Sequence, residues 1–378
     1  MGNRKKLPHH EELTRLRVMT ENQFTEKKLL RPMAAITSPL IQYYPINVSK
    51  DLLLIYNATN ISFSSNVCAY YMANRPLASN ANLLGITCPT NEIISPSDYT
   101  TYILTPVTNW LATNATKRPA YVILFQDIPS RVNLASPTPS VQYELHTALP
   151  TWSPFITAIN MNGTGGTNDC IGYINKLTNM AGTNQTLFIS ATAAKRGNTN
   201  WYFDDAHGAY SNIPAGLEGA EGVESNGVLS SAVTYTPFTT TIHITNGFNV
   251  AGYFTWGLNG YLPGTYPIDG TVSFTGSNQW YVIATEESFN GERVTGQGNF
   301  LEWFASNAFG GTSYSNTPVG AISHVDEPLA YADNTYNYFG LWASGKCFAI
   351  CAWAGQIGTY GTHTDFYFQG VGDPFVTK

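Results

Sequence analysis

Between residues 51 and 125, short apolar runs alternate with segments whose apolar residues recur at helical spacing, and this alternation restricts the fold more than any other feature. Residues 51–56 (DLLLIY) have the length and character of a buried strand, and 57–65 read as a turn. Residues 66–75 (NVCAYYMANR) carry a helical pattern that stops before Pro76, whose ring disfavours helix in the residue preceding it. A second strand is predicted over 83–87, a second helix over 97–112 with Asp98 in its first turn, and a third strand over 120–125 (AYVILF). Strands separated by helices pair through crossovers, so the pattern predicts an α/β fold: a mostly parallel sheet with helices on both faces.

The rhythm lapses over 133–240, which is rich in Pro, Gly, Asn and Thr and contains one strand-like run at 187–194. This stretch is predicted to be a loop-rich insertion within the same domain. Alternation resumes with strands at 248–254 and 280–285, a helix at 299–309 and a strand at 318–323. A helix at 336–354 and a last strand at 366–368 complete it, closed by Gly372-Asp373-Pro374. Residues 1–45 read as a charged N-terminal arm ahead of one domain over 46–378, and no fixed repeat period points to a solenoid or propeller.

Charged residues are only 12% of the chain, so Asn, Thr, Ser, Gly and Tyr must supply much of the polar surface; this balance favours an extracellular or cell-surface setting. No signal-peptide-like apolar core is visible in the first forty residues. A net charge of −6, with no basic run beyond Arg4-Lys5-Lys6, argues against nucleic acid as a partner. No apolar stretch reaches the roughly 18 residues a transmembrane helix needs. The five cysteines lack zinc-type spacing and are expected to be buried thiols, so neither a metal nor a cofactor is predicted.

Two sets of motifs carry a family resemblance. The segment from LLLIYNATN through RPAYVILFQDIPSRV, followed by SVQYEL, YFDDAHGAY, GYFTWGLNG, SHVDEP and GDPF, resembles an uncharacterised bacterial family of exported proteins, some bearing PEP-CTERM sorting tails. No such tail follows Lys378 here. A more distant similarity is to the gingipain and caspase cysteine peptidases, whose strands end in a Gly-His-Gly motif and then in a catalytic cysteine. GYFTWGLNG matches the first pattern with Trp256 in the histidine's place, and IATEESFNG matches the second with Ser288 in the cysteine's place. The resemblance therefore implies a caspase-like sheet with a degenerate dyad. An indole neither accepts a proton nor carries charge, so it cannot activate a thiol.

Residues just past the predicted strands are the default site in an open α/β sheet. They are Asp127, Arg131, Trp256, Asn259, Glu286, Ser288, Asn290, His324, Asp326 and Glu327. Two function classes follow: a binding or assembly protein with a protein or polysaccharide ligand, in which homo-oligomers are conceivable, or a serine hydrolase. In the second, Ser288 attacks, His324 is the base, and Asp326 or Glu327 orients the imidazole, although no Gly-x-Ser-x-Gly elbow surrounds Ser288. Asp204, Asp205, His207, His363 and Asp365 lack the spacing of a calcium loop and read as turn residues. His146 and His243 read as structural, and Trp201, Tyr202 and Tyr261 as packing residues before sugar platforms.

Overall fold

The computed structural model describes residues 47–134, 138–148, 152–163, 166–181, 198–206, 214–238, 246–257, 272–276, 279–293, 298–328, 333–356 and 366–378. The N-terminal arm, the strand-like run at 187–194, and Asn259, Tyr261, His207, His243, His363 and Asp365 lie outside these residues.

Leu52–Asn57 (β1) is buried at five of its six positions, as a strand covered on both faces must be. It pairs in parallel with Asn82–Ile86 (β2) on one side and with Tyr121–Phe125 (β4) on the other. Phe155–Ile159 (β6) continues the sheet beyond β4. On the far side, Asn200–Asp204 (β7), Val233–Thr236 (β8), Val250–Thr255 (β10), Val282–Thr285 (β12) and Gly320–His324 (β13) form a second parallel set. Phe368–Gly372 (β14) joins the two sets: it runs antiparallel to β13 and meets β6 through Val371 and Ala158. Among the described residues the resulting order is β2-β1-β4-β6-β14-β13-β12-β10-β7-β8, a ten-stranded sheet. Two short parallel ribbons lie outside it, Ile93–Ile94 (β3) with Arg131–Val132 (β5), and Gly247–Phe248 (β9) with Phe274–Thr275 (β11).

The predicted α/β class is what the chain forms, with a correction in the middle. Residues 133–240, expected as a loop-rich insertion, contribute β6, β7 and β8 to the main sheet. Their strands are short and flanked by turn-forming residues, which hid them in the composition. The helix expected over 336–354 is two helices, Thr335–Ala343 and Phe348–Gly355, because the chain turns at Gly345 with φ +85°. The helix expected over 97–112 is present from Pro96 to Thr113, with a π-turn at Thr100–Leu104 and Ser95 accepting from the Asp98 amide at its start.

Glycines let two helices pack backbone to backbone. A Cβ on Gly222, in the helix Ala215–Ser225, would sit 2.3 Å from the Tyr336 carbonyl oxygen, and one on Gly340 would sit 2.9 Å from the Gly222 oxygen. The two backbones therefore touch, and Gly222→Val is expected to destabilise the fold by about 3 kcal/mol through overpacking. A fall in the denaturant midpoint at unchanged slope is the readout.

At the edge where the parallel strands begin, Asp373 is fully buried and accepts from Arg75 Nε at 2.8 Å and Tyr71 OH at 2.9 Å. Its amide donates to Tyr173 OH at 2.7 Å, so the closing GDPF segment is tied to both flanking helices. Among the described residues, no helix is long and apolar enough to cross a membrane.

Candidate functional site at the strand tips

The loops after β4, β12 and β13 meet on one rim. Arg131, six residues past the end of β4, donates to the Val325 carbonyl at 3.1 Å and lies 3.4 Å from Asp326 and 3.1 Å from Glu292. The guanidinium also sits 5.6 Å from the Phe289 ring centroid, a cation–π contact. Arg293 reaches across to the loop after β2, where Nε contacts Glu92 Oε2 at 2.5 Å, and to Asp127 Oδ1 at 3.4 Å. Arg293 and Glu92 are 7% and 8% exposed, so this pair is a buried cross-brace.

Trp256 and Ser288 stand just past the neighbouring strands β10 and β12, but their side chains diverge. The Trp256 indole is 3% exposed and donates to Asp205 Oδ1 at 2.8 Å. That carboxylate also accepts from the Gly216 and Leu217 amides at the start of Ala215–Ser225, so it caps that helix. Burial raises the Asp205 pKa, against the opposing pull of these donors. Ser288 turns the other way and donates to Glu327 Oε2 at 2.5 Å. Replacing Trp256 by Phe removes a hydrogen bond to a buried carboxylate and is expected to cost about 2 kcal/mol, read as a lowered thermal midpoint.

The triad expected from the sequence is not assembled. His324 is fully buried, with Nδ1 3.2 Å from the Glu287 carbonyl and Nε2 3.5 Å from Asp333 Oδ1. Asp326 pairs with Arg131, and Glu327 accepts from Ser288. Asp333, which sequence reasoning missed, faces the ring from nine positions further along the chain. Asn290, expected in a cleft, is fully buried: it donates to Thr285 Oγ1 at 2.7 Å and accepts from the His324 amide at 2.7 Å, stapling β12 to β13. Glu286 is 5% exposed and accepts from the Asp333 amide at 3.1 Å. Among the described residues, Asp127, Arg131 and Asp326 are the predicted rim residues that remain half-buried, and Glu327 is exposed.

Amides that would stabilise an oxyanion beside Ser288 are already engaged. Phe289 N donates to Asp326 O, Gly291 N to His324 O, and Glu292 N to Phe289 O. In comparisons with known proteins, no family model, no curated protein and no solved structure matches this chain.

All five cysteines are buried and unpaired, as the sequence led us to expect. Burial pushes Cys68, Cys88 and Cys170 up to about 12 and Cys347 up to about 11, and it drives Cys351 well above the ordinary thiol range. None has the lowered pKa of a nucleophile. A thiol that stays protonated when folded but ionises near 9 when unfolded costs the fold nothing below that pH. Above it, the unfolded state loses protons first and stability falls, by about 1.4 kcal/mol per pH unit for each such thiol. Urea midpoints measured at rising pH should therefore drop steeply from about pH 9 upward, and a flat profile would contradict the burial.

Proposed function

We propose that this chain is a caspase-like α/β protein without the peptidase dyad, and that it acts by binding or assembly at or outside the cell surface. The observation that carries this reading is the fate of the two strand tips. Where the resembling peptidases present imidazole and thiol, this chain presents an indole bonded to Asp205 and a hydroxyl bonded to Glu327, each buried and directed away from the other. The sheet's winding is compatible with a caspase-like order, and the low charge content supports an extracellular setting.

The competing reading is a serine hydrolase, and the 2.5 Å contact between Ser288 and Glu327 is the feature that favours it, since a carboxylate can serve as base. Against it stand the 1% exposure of Ser288 and the engaged amides around it. A fluorophosphonate probe separates the two. The binding reading expects no covalent adduct on native protein by intact mass; an adduct at Ser288 that disappears in Glu327→Gln would establish the hydrolase instead.

A further inference from the structure

The sheet ends at β2 on one side and at β8 on the other, and among the described residues no further strand pairs with the outer edge of either. A sheet edge presents backbone N–H and C=O groups without ladder partners, and chains blunt it with Lys, Pro, a bulge or a covering segment. The sequence of β2 (NLLGI) contains no Lys or Pro, and it pairs with β1 in unbroken register from Asn82 to Ile86, without a bulge. Leu83 is 45% exposed, and Gly85, on the same face of the strand, is exposed too. The Tyr56 ring of β1 leans over Gly85, where a Cβ would lie 2.9 Å from it. This edge is therefore smooth, uncharged and partly apolar.

The helical run that follows β2 adds almost no charge. Over Pro96–Thr113 Asp98 is the single charged residue, and Thr101, Thr105, Thr108 and Ala112 succeed one another on the exposed side. The Thr100, Thr108 and Thr113 hydroxyls donate to the carbonyls of Pro96, Leu104 and Asn109, so these groups can lose water without being stranded. The β8 edge differs. Glu221 and Glu224 are exposed on the helix Ala215–Ser225, which packs against β8. Two copies of the chain meeting at β8 would oppose like charges, and two copies meeting at β2 would not.

We propose that β2 is a self-association edge, at which two copies of the chain pair β2 with β2, antiparallel about a two-fold axis, so that their sheets join. Such an isologous contact needs a self-complementary surface, and β2 supplies one. With the axis at Leu84, Leu83 of each copy stands opposite Gly85 of the other, so the projecting side chain fills the space the glycine leaves. Lys117, which donates to Asn82 Oδ1 at 2.6 Å, stands at the first residue of the strand, and antiparallel pairing puts the lysines of the two copies at opposite ends. The surface uses none of the rim residues. It therefore stands apart from the reading of the strand tips, and it names a second copy of this chain as the partner in assembly.

Sedimentation velocity of the full chain at rising concentration is the test. The natural chain should pass from monomer to a species of twice its mass. Leu83→Lys should weaken that association about a hundredfold, about tenfold for each of the two leucines taken from the contact. Leu229→Lys, at a residue 73% exposed just before β8, should dimerise like the natural chain. Hydrogen exchange should slow over residues 82–86 as the dimer forms and stay fast there in Leu83→Lys. A natural chain that remains monomeric would overturn the proposal, and slow exchange over 82–86 in that monomer would assign the edge to another segment of the chain. A dimer that Leu83→Lys leaves intact, or that Leu229→Lys disrupts, would overturn it by moving the contact elsewhere. The fluorophosphonate result bears on none of these outcomes.

Discussion

Asp373→Ala is expected to cost about 4 kcal/mol, because it leaves the Arg75 guanidinium buried without its carboxylate. Arg75 is 3% exposed and Asp373 0%, so water cannot take the lost partner's place. The same carboxylate accepts from Tyr71 OH and, through Oδ1, from the Phe375 amide, so the closing turn loses its anchor as well. The thermal midpoint should fall by roughly 5 °C, because an unfolding entropy of about 2.1 cal/mol/K per residue over 378 residues gives about 1.3 °C per kcal/mol. Asp373→Asn should cost less than Asp373→Ala, since the amide oxygen can still accept from Arg75. Equal losses would mean that volume, and not the ion pair, holds this corner.

Gly257→Ala should be comparably damaging, at the opposite edge of the sheet. Gly257 follows Trp256 with φ +59°, and a Cβ there would come within 1.9 Å of Glu287 Cδ. Glu287 has no room to retreat, because it is fully buried and a Cβ on Gly298 would meet its carboxylate at 2.4 Å. The left-handed backbone adds about 1 to 2 kcal/mol to an overpacking cost of about 1 to 3. Equilibrium urea unfolding should therefore show a loss of about 2 to 5 kcal/mol. The physical meaning is that the tips of β10 and β12 are locked together by a buried carboxylate, leaving no adjustable gap between them.

The sequence made the first third of the sheet legible because LLLIY and AYVILF are continuous apolar runs, and only strands covered on both faces read that way. β6 and β7 escaped notice: FITAI mixes Thr and Ala into its run, and NWYFD begins and ends on polar residues. Trp256 and Ser288 stand past the ends of β10 and β12, whereas His324 is the last residue of β13. Their partners Asp205, Glu327 and Asp333 lie 51, 39 and nine positions away in the chain, separations with no periodic signature. Arg293 shows the same limit. Its role as a cross-brace depends on Glu92, 201 positions earlier, and no local pattern links the two.

All five cysteines are buried with raised pKa values, so the chain carries no activated thiol for cysteine-peptidase chemistry. Thiol accessibility tests this most directly, by intact mass after brief exposure to iodoacetamide at neutral pH. Native protein should gain no adducts, and guanidinium-unfolded protein should gain five, one for each cysteine in the chain. Rapid modification of a single cysteine in the native protein would contradict the account, because it would reveal a thiolate where the fold keeps every thiol protonated.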